Sequence, residues 1–338
     1  MSPPPDRVDQ QRLREALAQD AYASDTIRLR SSSLAGATHL VASRQGLYAI
    51  NESEWSLLVH GYFFGVTLRG DEIFAFEGSA PPRREPWIGG RIVRLVRSGD
   101  AVVEASVVAR GLDNGCHQID ILDGRLHVVD TYRQRVLRFG SDLGGYEVVA
   151  PLPLSPDGRW LKHDERYVHV NSILQVGERI LLLLHNTSES TGRASEVAVY
   201  DTQWREQSRW LLDGRSCHGL AMLEEGRLLT CDSMAGDLID LNGFRVHVSP
   251  HMTRGLAVGE DDIAVGGSPR AEREKRLSSA GTVSFLDRDF RLRSVLDVPG
   301  APTEIRRLDG RDLGLSDFLR TMAWGENVIG PSDIRSGN

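Results

Sequence analysis

Residues 113–138 read DNGCHQIDILDGRLHVVDTYRQRVLR. Two runs of period-two alternation, CHQIDIL and RLHVVD, flank Asp123-Gly124, and an Asp-Gly pair between such runs is a strong hairpin signal. The second run ends in Asp130-Thr131, and a third strand follows from Arg135. The stretch therefore predicts an antiparallel meander of short strands.

The same pattern returns along the chain. It reads HLVASRQGLYAINES from His39, FGVTLRGDEIFAFEGS from Phe64, HVNSILQVGERILLLLHNT from His169, HGLAMLEEGRLLTCDS from His218 and RGLAVGEDDIAVGGS from Arg254. TEIRRLDGRDL from Thr303 matches the opening stretch and then trails off. Second strands end in Gly78-Ser79, Asp130-Thr131, Asn186-Thr187, Asp232-Ser233 and Gly267-Ser268. Third strands are expected over 91–96, 135–139, 196–200, 237–241 and 282–286, and fourth strands over 146–149 and 208–212.

Four short strands per unit, at a spacing of roughly 35 to 55 residues, predict an all-β chain folded as a β-propeller. One four-stranded sheet cannot cover both its own faces, whereas radial stacking of blades does so for all of them. The first and last units are incomplete. Six blades follow if the N-terminal strands and the TEIRRLD strand share one blade, which removes an open edge; five and seven are the alternatives. Residues 1–30 are expected to form a flexible terminus with a short helix over 8–23, where Leu13, Leu17 and Ala21 share a face. Residues 31–338 are expected to form a single propeller domain.

Composition narrows the function. The chain has 338 residues, 40% hydrophobic and 26% charged, with a formal net charge of -7. It lacks the basic excess that a nucleic-acid or anionic-membrane partner requires. No apolar run approaches the ~18 residues of a membrane span. The polar start MSPPPDRVDQQRLREALAQD has no signal-peptide core. Cys116, Cys217 and Cys231 give neither an even disulfide set nor a CxxC pair. A cytoplasmic setting is the expectation.

The run DILDGRLHVVDTYRQRVLRF resembles an NHL unit, whose second strand ends in Asp before a polar, Arg-containing turn. From residue 38 onward the chain is similar in architecture to the six-bladed propeller superfamily of NHL-repeat and senescence-marker/gluconolactonase-like proteins. That resemblance implies a six-bladed ring. The acidic and Asn metal ligands of the gluconolactonase-like enzymes have no clear counterparts here, so their calcium and lactonase chemistry is not implied.

With the units aligned, one column carries chemistry. His117, His169 and His218 open inner strands, and His39 takes the same slot in the N-terminal unit. Arg254 follows, with His251 three residues earlier, and Thr303 and Phe64 fill the remaining slots. Inner strands line one channel, so these positions converge at one of its ends. A three-His set with open positions suits a divalent metal, with His39 or His251 as a fourth ligand and Fe(II) favoured over Zn or Cu. His ligands on separate blades are similar in site logic to the iron site of carotenoid-cleaving oxygenases, which are larger seven-bladed proteins. Asp113, Asp120, Asn171 and Glu304 lie within reach to orient the rings. Arg254 is expected to clamp an anionic group of a small-molecule substrate, with Glu304 and Asp120 completing the catalytic set.

Other residues have plainer expectations. His127 belongs inside a sheet, and His163 and His247 in a loop and an outer strand; His185 sits beside Asn186 at a strand end, where lining the opposite mouth of the channel is the lesser of its readings. Cys116, Cys217, Trp160 and Trp210 fit inter-blade packing. The long connections 80–89 and 269–280 are candidate rim loops. The expected function is a metal-dependent enzyme of oxygenase or Lewis-acid type. The alternatives are a metal-free lyase or isomerase with a His acid/base pair, and a scaffold that binds through its rim. Oligomeric state does not follow from the sequence.

Overall fold

A computed structural model describes residues 26–79, 88–156, 158–160, 164–223, 226–270 and 279–310. The helix expected over 8–23, most of both rim connections (80–87 and 271–278), His163 and residues 311–338 lie outside them.

Six four-stranded antiparallel sheets form a ring. The first blade holds β1 (His39–Ser43), β2 (Gly46–Ile50) and β3 (Trp55–His60), with β24 (Pro302–Arg307) as its innermost strand. The second runs outward from β4 (Phe63–Arg69) through β5 (Glu72–Glu77) and β6 (Gly90–Ser98) to β7 (Ala101–Leu112). The third comprises β8 (Cys116–Leu122), β9 (Arg125–Asp130), β10 (Arg135–Phe139) and β11 (Tyr146–Val149). The fourth comprises β12 (Val170–Val176), β13 (Arg179–Leu184), β14 (Glu196–Asp201) and β15 (Glu206–Leu211). The fifth comprises β16 (His218–Met222), β17 (Leu228–Asp232), β18 (Asp237–Asp240) and β19 (Arg245–His247). The sixth comprises β20 (Met252–Val258), β21 (Ile263–Ser268), β22 (Gly281–Leu286) and β23 (Leu292–Val298). The chain is a six-bladed β-propeller, closed by pairing of β24 with β1.

Local chemistry explains the hairpins. Asp123 and Gly124 both take positive φ, 49° and 72°. A two-residue turn that follows the strand twist requires this of its central residues.

Packing explains the rest. Among the described residues, six of the seven apolar clusters each straddle one pair of neighbouring blades. In β13 (RILLLL), Ile180, Leu182 and Leu184 face the third blade while Leu181 and Leu183 face the fifth. A strand covered on both faces needs no polar alternation, hence the unbroken apolar run. Cys116, Cys217 and Trp210 fill these interfaces as expected. Burial raises the Cys231 thiol to about 12 and lifts those of Cys116 and Cys217 as well. The acidic ends of second strands also have a structural task. Glu77 pairs with Arg91, Asp130 with Arg135 and Asp232 with Arg245, at 2.8, 2.7 and 2.8 Å.

Ring closure overturns one expected position. β1 is the second strand of its blade, and His39 lies opposite Arg307, at the far end of β24 from Thr303. His39 therefore sits at the other end of the channel from His117.

The mouth end of every inner strand is irregular. In all six blades the ladder between the inner strand and its neighbour slips there. A bulge of this kind bends the strand and re-aims its side chains. At Gly255, φ is +78°, and a Cβ would come within 2.9 Å of Ile305 in the next blade.

Candidate functional site: a four-histidine channel mouth

Four imidazoles meet at the mouth. His117 is the second residue of β8 and His218 the first of β16. His169 immediately precedes β12 with a φ of 52°. His185 directly follows β13, and its N–H donates to the His169 carbonyl at 3.2 Å. Ring centres are 4.7 Å apart for His117–His169, 4.7 Å for His169–His185, 5.1 Å for His185–His218 and 6.4 Å for His117–His218.

His185 corrects an expectation. It lies at this mouth rather than the opposite one, because β13 runs antiparallel to β12 and Leu184 pairs with Val170. Counting strand direction from the hairpin would have placed it here.

The rings are held from behind. His117 Nδ1 lies 2.9 Å from the Gly115 carbonyl, and His218 Nδ1 lies 2.8 Å from the Ser216 carbonyl and 2.8 Å from Ser233 Oγ. A carbonyl only accepts, so in both rings Nδ1 carries the proton and Nε2 presents a lone pair. His218 Nε2 is buried and has no hydrogen-bond partner. Burial holds His218 and His169 well below the ordinary imidazole range. For His218, Arg254 and then His185 and His117 push the same way; for His169, His185, His117 and His218 do so ahead of Arg254. Both rings are therefore neutral near pH 7.

Neutral imidazoles are donors of a type that divalent metals take. Imidazoles bound at about 2.1 Å place their ring centres roughly 4.5 to 6.5 Å apart, for angles between about 90° and 180°. The four observed separations fall in that range. As the side chains stand, no group of three or more His, Cys, Asp or Glu among the described residues is placed to hold a metal ion. Closing around an ion would require the rings to shift while keeping their Nδ1 contacts.

Aromatic groups wall the mouth. Phe64 stacks on His117 at 5.9 Å, and Tyr132 stands 6.4 Å from His117 and 6.0 Å from His169. Arg254 comes from β20 and supplies positive charge toward His218 and His169.

Backbone strain gathers here too. His169, Asn186, Thr187 and Ser216 all have φ between 47° and 56° without being glycine. Such conformations cost about 1–2 kcal/mol each and concentrate at functional sites. Ser216 also buries a hydroxyl without a hydrogen-bond partner. Ser216→Gly is expected to stabilise the fold by about 1 kcal/mol, since it removes strain and a desolvated hydroxyl. Urea denaturation measures this; an unchanged or lower midpoint would show that the chain freedom glycine adds to the unfolded state outweighs the strain removed.

Other predicted site residues lie elsewhere. His39 is fully buried 3.6 Å from Asp262, beyond hydrogen-bond reach, and burial with the Arg307 charge lowers it to about 3. The His251 ring shares no ring contact with the four, although its backbone enters β20 at this end. Asp120 and Glu304 stand deeper in the channel. Arg306 bridges them at 3.0 and 3.2 Å, while Thr67 donates to Asp120 at 3.0 Å and Gln118 to Glu304 at 3.4 Å. His127 is buried in its sheet and Trp160 packs with Tyr132 and Tyr167. Asn171, not His169, occupies the bulge of β12, and its amide donates to the Cys217 carbonyl at 2.7 Å.

No helix among the described residues is long and apolar enough to cross a membrane. No protein-family model and no curated protein sequence matches the chain. Solved structures do. A chain of the nidogen/laminin complex superimposes with a TM-score of 0.55 at 11% identity, covering 80% of this chain and 98% of that one. A protein of unknown function from Bacteroides caccae gives a TM-score of 0.52 at 17% identity, covering 80% of this chain and 99% of that one. At such identities the likeness shows the fold, and the fold is a β-propeller.

Proposed function

We propose that the channel mouth is a mononuclear metal centre in an enzyme acting on a small anionic molecule. His117, His169, His185 and His218 are the ligands, and His185 takes the place first given to His39 or His251. The observation that carries this reading is His218, a buried neutral ring whose Nε2 has no partner, within four rings at ligand spacing. A cation fits between such lone pairs.

Fe(II) is favoured over Zn or Cu, and a bound Fe(II) would supply oxygen chemistry where Zn²⁺ would act as a Lewis acid. The chain's own residues do the rest. Carbonyls of Gly115 and Ser216 fix two tautomers, Arg254 receives the substrate anion through its guanidinium fork, and Phe64 and Tyr132 exclude water.

Metal analysis of protein purified without chelator is expected to find about one equivalent per chain. His218→Ala and His169→Ala are expected to lower affinity at least ~100-fold while the far-ultraviolet circular dichroism is unchanged. A wild-type protein that takes up no Fe, Zn or Cu, and whose unfolding temperature ignores all three, would overturn the proposal.

A further inference from the structure

The anchor of His169 differs from those of its neighbours. His117 and His218 are pinned by carbonyls, which fix Nδ1–H. His169 Nδ1 instead lies 2.7 Å from the Tyr167 hydroxyl, and Tyr167 is fully buried. A phenol can donate or accept a hydrogen bond by turning its O–H. The tautomer of His169 therefore depends on what its Nε2 meets.

Tyr167 is itself fixed. It stacks on Tyr132 at 5.9 Å with planes 18° apart, and the Arg159 guanidinium lies 4.3 Å from the Tyr132 ring centre. Arg159 binds the Asp113 carboxylate through two nitrogens, at 2.9 and 3.0 Å. The same carboxylate accepts the Gly115 N–H at 2.7 Å, and Gly115 is the residue whose carbonyl holds His117. One buried aspartate thus supports two histidines by two routes, through Gly115 for His117 and through Arg159, Tyr132 and Tyr167 for His169.

We infer that Tyr167 is a positioning residue that makes His169 a metal ligand, by accepting a hydrogen bond from Nδ1–H when Nε2 binds the cation. In the tautomer change the Nε2–H bond breaks and an Nδ1–H bond forms, so the ring stays neutral and no net proton is taken up or released. Phenylalanine fills the same space but cannot accept, and it leaves a buried Nδ1–H with no partner in the loaded state.

This inference rests on the metal-centre proposal, and the experiment separates the two. Zn²⁺ affinity is measured by competition with a chromophoric chelator, and Cu²⁺ is used as a paramagnetic probe of the ligand field. Tyr167→Phe is expected to weaken Zn²⁺ binding roughly 10- to 100-fold and to alter the Cu²⁺ hyperfine splitting. Tyr200→Phe, at a tyrosine between the third and fourth blades away from the mouth, is expected to do neither. In a His169→Ala background the Tyr167→Phe step should have no further effect, whereas a general loosening of the fold would persist there. Equal affinity and an identical spectrum for Tyr167→Phe would overturn the inference and leave the metal centre standing. A wild-type protein that binds neither ion would overturn both.

Discussion

Acidification from pH 7.5 to 5 is expected to lower the unfolding temperature of the metal-free protein by roughly 6 °C. Burial holds His127 at about 4 and His39 at about 3, against 6.5 for an unperturbed imidazole. A base depressed in the fold takes its proton only in the unfolded chain. Its contribution is complete above about 6.5 and is lost as pH falls through the window below. His169 and His218 act in the same sense.

Asp130 opposes them. Burial and the neighbouring Asp113 raise it from 3.8 to about 6, so over the same window the folded chain gains a proton. Asp120 and Asp262, also raised mainly by burial, add to that opposition. A balance of about two protons, at about 1.4 kcal/mol each per pH unit, gives on the order of 4 kcal/mol between pH 6.5 and 5. Thermal melts across this range check the slope, and His127→Gln should make it shallower by about one proton. Equal unfolding temperatures at pH 7.5 and 5 would mean that the buried rings are charged in the fold.

Arg306→Met is expected to cost about 3–5 kcal/mol at neutral pH. Arg306, Asp120 and Glu304 are all buried, and the guanidinium is the positive charge between two carboxylates. Removing it leaves like charges in a desolvated channel, and neither can be hydrated without opening the ring. The penalty carries its own signature. It should shrink on acidification, because protonating either carboxylate removes the uncompensated charge. Urea denaturation of both proteins at pH 7.5 and 5.5 tests this, and a pH-independent difference would assign the loss to packing alone.

Much of the fold was legible in the sequence because blades repeat and their signals are local. Asp-Gly turns, period-two runs and acidic strand ends each depend on residues a few places apart. His117 and His218 were legible for the same reason, as they sit directly at the start of an inner strand. What escaped was non-local. His39 belongs to a strand that looks like an inner one until β24 arrives from more than 250 residues away to take that place. His185 is not marked as a mouth residue by the sequence because the direction of a second strand matters only once it is paired. His169 was expected at this mouth and stands there, just before β12 on a left-handed backbone that no sequence pattern marks. Tyr167 and Arg159 come from a loop with no repeat, so no alignment of units could mark them.

Closure by β24 has a consequence for how the ring comes together during synthesis. The first blade cannot gain its channel strand until residues 302–307 have left the ribosome, by which time the other five blades have all been made. The same six residues carry Glu304 and Arg306. Until they arrive, Asp120 faces an open channel in which water can solvate it. Sealing the ring and neutralising its interior are therefore one event, and a nascent chain that stalls short of residue 302 holds an acidic, hydrated groove in place of a closed axis.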